Sequence, residues 1–157
     1  MTLLEQIYSP ADIRNFSLAE LKQLAEELRH FIINEVAAKE GHLGAGLGVV
    51  ELTIALHYVF NTPEDILVFD VGHQAYVYKI LTDRAEKFDT IRTRKGLSPF
   101  LDPNESSYDH FVSGHAGTAL PVAVGFAIAN PNKKVIVVVG DASISNGHSL
   151  EALNYIG

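Results

Sequence analysis

Between Ser17 and Gly41 the apolar residues Leu18, Leu21, Leu24, Leu28, Phe31, Ile32 and Val36 recur every three or four positions. That spacing places them on one face of a helix. Ser17-Leu18-Ala19-Glu20 heads the run as a capping box, a hydroxyl N-cap answered three residues later by a carboxylate. Gly41 is the predicted stop, because glycine adopts the left-handed conformation that ends helices. Glu26 and Glu27 belong to the solvated face. A second, largely apolar stretch from Val49 to Phe60 predicts another helix, with Pro63 just beyond it.

The pattern then changes. Ile66-Leu67-Val68-Phe69 is a short apolar run closing on Asp70-Val71-Gly72, the mark of a buried strand. Lys133 and Lys134 lead into Val135-Ile136-Val137-Val138-Val139, five β-branched residues with no alternation. A parallel strand covered on both faces reads this way. From Thr118 to Asn130 the residues are small and apolar, which predicts a tightly packed buried helix with Pro121 in its first turn. The segment from Arg92 to Ser113 is a long connection containing Gly96, Pro99, Pro103 and Asn104. It opens on Arg92, Arg94 and Lys95, either a solvated loop or an anion contact. Alternation of helices and strands gives the fold class: α/β, with a partial open parallel sheet flanked by helices.

Composition narrows the field. A chain of 157 residues is most simply one domain. A net charge of −7 argues against nucleic-acid or anionic-membrane partners. Without cysteine there are no disulfides or thiolate metal sites, which suits the cytoplasm. The N-terminal stretch MTLLEQIYSPADIRNF lacks the basic-then-apolar order of a signal peptide, and no apolar run is long enough to span a bilayer.

Four of the 7 histidines directly follow a glycine: His42, His73, His115 and His148. A Gly-His pair sets an adaptable proton donor and acceptor at a tight turn. Four pairs suggest loops meeting at one polar site. Gly41 to Gly48 reads as a flexible, glycine-rich loop between two helices. Gly72-His73 lies at the carboxyl end of the first strand. Gly114-His115 opens the small-residue helix, where an anion would meet free N–H groups. His148 falls where a further helix starts. At the end of the valine strand, Gly140-Asp141-Ala142-Ser143 projects a carboxylate where parallel sheets bind ligands. Asp141 there suits Mg²⁺ shared with phosphates, or else caps the next helix. Rossmann, P-loop, H-E-x-x-H and G-x-S-x-G motifs are absent.

Taken together, G-H-L-G-A-G-L-G-x-V-E-L-T-x-A-L-H-Y-V-F-N-T-P from Gly41 to Pro63, D-V-G-H-Q-A-Y from Asp70 to Tyr76, S-G-H-A-G-T from Ser113 to Thr118 and G-D-A-S from Gly140 to Ser143 resemble the 1-deoxy-D-xylulose-5-phosphate synthase family. That family is transketolase-like and depends on thiamine diphosphate. The resemblance covers essentially the whole chain. It implies that residues 1–157 are the N-terminal part of a diphosphate-binding domain. It implies an active-site role for His42 in proton transfer or substrate contact. It implies thiamine diphosphate contacts at His73, Gly114, His115, Ala116, Ala142 and Ser143, and Mg²⁺ ligation by Asp141. The implied reaction joins pyruvate to glyceraldehyde 3-phosphate with loss of CO₂, in a homodimer serving isoprenoid and thiamine biosynthesis.

Two departures qualify these expectations. The family reads Gly-Asp-Gly where this chain has Gly140-Asp141-Ala142, so a methyl group stands in the turn. The family also places a metal-binding asparagine and an activating glutamate beyond the position of Gly157. The chain is therefore expected to be inactive alone. A subunit of a split transketolase-type enzyme and a non-catalytic phosphate-binding α/β module are the alternatives.

Overall fold

A computed structural model describes residues 2–157. The chain divides into two compact units. One holds the chain through Asn61 together with His73–Pro99; the other holds Thr62–Gly72 and Phe100–Gly157.

The first unit is helical. Helix α1 spans Leu18–Val36 and begins at the predicted cap. The Glu20 carboxylate accepts the Ser17 backbone N–H at 2.7 Å, and the Ser17 hydroxyl accepts the Glu20 N–H at 3.4 Å. The Ser17 hydroxyl also donates to the Glu20 carboxylate at 2.7 Å, and this bond, with that from the Ser17 N–H, holds the Glu20 carboxyl below its ordinary range. Leu24, Leu28, Ile32 and Val36 are fully buried and form the core face, while Leu18, the first residue of the predicted stripe, is exposed in the first turn. The helix ends earlier than Gly41. A 3₁₀ turn covers Ala37–Lys39, and Glu40 takes the left-handed conformation with φ 53°.

The glycine-rich segment is not a loop. Leu43–Leu47 forms a short helix, α2. Its length lets Leu43 and Leu47 pack on the main core, which outweighs the low helix propensity of Gly44 and Gly46. Helix α3 follows at Val50–Val59, within a residue of expectation. Helix α4, Tyr76–Lys79, is buried at every residue. The core joins α1, α3 and α4 through Leu24, Leu28, Ile54, Val77, Ile80 and Phe88.

The second unit carries the sheet. Strands β1, Ile66–Phe69, and β2, Val135–Val138, run parallel, with Ile66 opposite Val135 and Phe69 opposite Val138. Helix α5, Ala119–Ala129, packs Ala119 and Phe126 against Ile66 and Val68. Helix α6, Gly147–Ile156, packs on α5. The open parallel α/β arrangement is therefore as expected, with two strands among the described residues.

Two burial expectations fail. The valine strand is half-buried at Val135, Ile136 and Val137 and buried only at Val138. Helix α5 buries Ala119 and Ala123, while Ile128 is 64% exposed. Among the described residues no further strand lies beside β2. The apolar surface coded by these segments exceeds the surface covered.

Candidate functional site

His42 is the N-cap of α2, and its carbonyl accepts the Gly46 N–H at 3.3 Å. His73 follows the turn that leaves β1. The two imidazoles lie edge to face, with centroids 5.4 Å apart and planes at 66°. His42 is exposed and His73 half-buried. The first unit thus brings two of the four glycine-preceded histidines together.

In the second unit both strands end on the same side, and the Asp70 N–H still reaches the Val138 carbonyl at 2.8 Å. Beyond β1 the chain turns sharply through Val71 and Gly72, with φ of 60° and 89°. A side chain on Gly72 would run into the Ser113 hydroxyl, so the turn needs glycine twice over. Gly114 adopts φ 136° and lies over the Phe100 ring. His115 and Ala116 are exposed at the entrance to α5.

Asp70 is the residue that sequence reasoning missed. It is 1% exposed, and its carboxylate accepts the N–H groups of Gly117 and Ala119, each at 3.1 Å. The first turn of α5 therefore already holds an internal anion. The N–H groups of Gly117 and Ala119, counted among the free donors expected at this helix start, are thus already taken. An acidic residue closing an apolar strand was the available signal.

After β2, the Gly140 carbonyl accepts N–H groups from Ser143 at 3.0 Å and Ile144 at 3.3 Å, which closes a tight turn. Ala142 sits in the turn at φ −68° and ψ −34°, a region open to any L-residue. Its methyl group is exposed and unstrained. Asp141 is exposed and, among the described residues, makes no hydrogen bond or ion pair. It is not the cap of α6. That role belongs to Asn146, whose side chain accepts the His148 N–H at 3.0 Å. His148 is an exposed helix residue, as expected.

Asp141 fits a single carboxylate ligand. Among the described residues no group of three histidine, cysteine or acidic side chains could hold a metal ion. Arg92, Arg94 and Lys95 are all exposed, and Arg92 donates to the Lys39 carbonyl at 3.1 Å. A groove of about 640 Å³ between α1 and α3, lined by Leu21, Ala25, Ile54 and Tyr58, contains none of the candidate residues.

One further histidine is structural. His57 on α3 is fully buried and stacks on Tyr78, centroids 5.3 Å apart. Burial, reinforced by the nearby Arg14 charge, pushes its pKa down to about 4.

Two parallel strands with a helix packed against them define an open α/β protein. Residues 4–157 match the family described as 1-deoxy-D-xylulose-5-phosphate synthase, and the chain belongs to that family. It is 78% identical over 138 residues to the 1-deoxy-D-xylulose-5-phosphate synthase of Fusobacterium nucleatum, covering 88% of this chain and 23% of that protein. It is 54% identical over 159 residues to the protein of that name from Dictyoglomus thermophilum, covering 99% and 26%. The protein of that name from Acidobacterium capsulatum is 53% identical over 158 residues, covering 98% and 25%. The chain thus spans about a quarter of the length of these curated relatives.

Proposed function

We propose that this chain supplies the diphosphate-binding N-terminal part of a thiamine-diphosphate-dependent transferase. The whole enzyme would condense pyruvate with glyceraldehyde 3-phosphate, with loss of CO₂, to give 1-deoxy-D-xylulose 5-phosphate. The observation that carries this reading is the family match over residues 4–157, which takes in every candidate site residue.

When bound, thiamine diphosphate supplies carbanion stabilisation. The protein's residues do the holding. Asp141 offers one oxygen ligand to Mg²⁺, an ion that commonly takes one or two carboxylates and leaves the rest of its shell to phosphate and water. The Ser143 N–H is committed to the Gly140 carbonyl, so its contribution to a diphosphate is the hydroxyl. Ala142, Gly114, His115 and Ala116 contribute backbone or edge contacts. His73, half-buried, orients; His42, exposed beside it, moves a proton or contacts substrate. Homodimeric assembly and a cytoplasmic setting belong to the same reading of the intact enzyme.

On this reading the 157-residue chain by itself is inactive, because it spans about a quarter of the length of its curated relatives. A turnover assay of the purified chain with pyruvate, glyceraldehyde 3-phosphate, thiamine diphosphate and Mg²⁺ tests this. No product is expected, and measurable product would overturn the claim of inactivity.

A further inference from the structure

Tyr76 closes the D-V-G-H-Q-A-Y block, yet the proposed function leaves it without a task. It is 1% exposed, its ring meets Phe88 edge to face at 5.9 Å, and its hydroxyl has no hydrogen-bond partner among the described residues. Packing alone favours phenylalanine at such a place, because a buried hydroxyl without a partner is unfavourable. The ring's position supplies what composition does not. Both glycines that bracket the His42 turn rest on it. A Cβ on Gly41 would stand 3.0 Å from the Tyr76 hydroxyl oxygen and would also collide with Val36. A Cβ on Gly46 would stand 3.3 Å from ring atom Cδ2.

The His42 turn is therefore seated on a rigid aromatic floor, with glycine at both contact points so that backbone reaches ring. The connection is steric and short. His42 lies one residue from Gly41, and its own carbonyl is bonded to the N–H of Gly46. A shift of the ring changes the room at both ends of the turn that carries His42, and with it the 5.4 Å approach to His73.

We infer that Tyr76 is a positioning residue: its ring sets the placement of the His42 imidazole against His73. This rests on the proposed role of His42 for its functional meaning, but not for its test. The direct measurement is NMR of the histidine side chains in the 157-residue chain, reading the His42 ring resonances and the cross-relaxation between the His42 and His73 rings. Tyr76→Phe keeps the floor, so both signals should stay at their wild-type values. Tyr76→Leu removes it, so the His42–His73 cross-peak should be lost and the His42 resonances should move. Gly46→Ala asks only a few tenths of an ångström of its neighbours and keeps the chain folded if Tyr76→Leu does not. It should move His42 in the same direction while His115 and His148 stay fixed. A folded Tyr76→Leu or Gly46→Ala chain with an unchanged cross-peak would overturn the inference. Failure of the thiamine reading would leave all these signals as stated, so the two claims fail separately.

Discussion

The Asp70 carboxylate accepts the backbone N–H of Ala119 at 3.1 Å, joining the end of β1 to the start of α5. With the matching bond from Gly117, just before the helix, it satisfies two buried backbone donors, one of which the helix start leaves open. Asp70→Ala should destabilise the chain by about 2 kcal/mol, the scale of a lost cap plus buried donors left without a partner. Asp70→Asn, which keeps one acceptor oxygen, should cost less. Urea unfolding followed by circular dichroism checks both; equal stability of all three chains would contradict the role.

Gly117 shows how tightly the same corner is built. It adopts φ 79°, and a side chain there would strike Asn146, the residue that caps α6. Gly117→Ala combines a left-handed alanine with displacement of a cap. A loss of about 2 kcal/mol is expected from these two effects. Thermal unfolding would register it as a lower midpoint, and an unchanged midpoint would count against this packing.

His57 makes stability depend on pH. In the folded chain its pKa is lowered from 6.5 to about 4. Above pH 6.5 it is neutral whether folded or unfolded, and its full contribution is present. As pH falls from 6.5 towards 4, the unfolded chain takes up a proton that the folded chain refuses. Stability should decline through that window by a total on the order of 3 kcal/mol, and His57 should add nothing further below it. His57→Phe, which keeps a ring against Tyr78, should flatten the decline between these limits. An identical pH profile for the variant would show that other groups cause it.

Tyr76 gives the opposite kind of prediction. Its hydroxyl is buried without a partner among the described residues, so Tyr76→Phe should leave stability unchanged or raise it by up to about 1 kcal/mol. Urea unfolding measures this, and a clear loss would reveal a hydrogen bond at that oxygen.

Much of the fold could be read from the sequence because it rests on local signals. Ser17 and Glu20 set the start of α1 through bonds three residues apart, and unbroken β-branched residues marked β2. Ser9-Pro10-Ala11-Asp12 carries a similar local signal that the hydrophobic pattern does not show. Pro10 heads a 3₁₀ turn, and the Asp12 carboxylate accepts the N–H groups of Tyr8 and Ser9. Non-local features were less visible. Gly44 and Gly46 argued for a loop, but core contacts of Leu43 and Leu47 made a helix. Asp70 reaches residues almost fifty positions away, and no pattern within one segment encodes that. Burial was overestimated for β2 and α5 because apolar character in a sequence records the surface a segment can cover, not the surface that is covered here.

The candidate site divides the same way. The Gly-His pairs were legible as turns, and two of them do meet, at His42 and His73. The sequence allows Asp141 as a metal ligand or a helix cap, and in the structure Asn146 fills the cap of α6. Ala142 beside it has an ordinary backbone conformation, so the turn accommodates its methyl group.

Calorimetry of thiamine diphosphate with the purified chain, with and without Mg²⁺, tests the central claim most directly. Mg²⁺-dependent binding is predicted, with affinity at least tenfold lower in Asp141→Ala, about 1.4 kcal/mol. Binding that is indifferent to both Mg²⁺ and Asp141→Ala, or no binding to the folded chain, would contradict it.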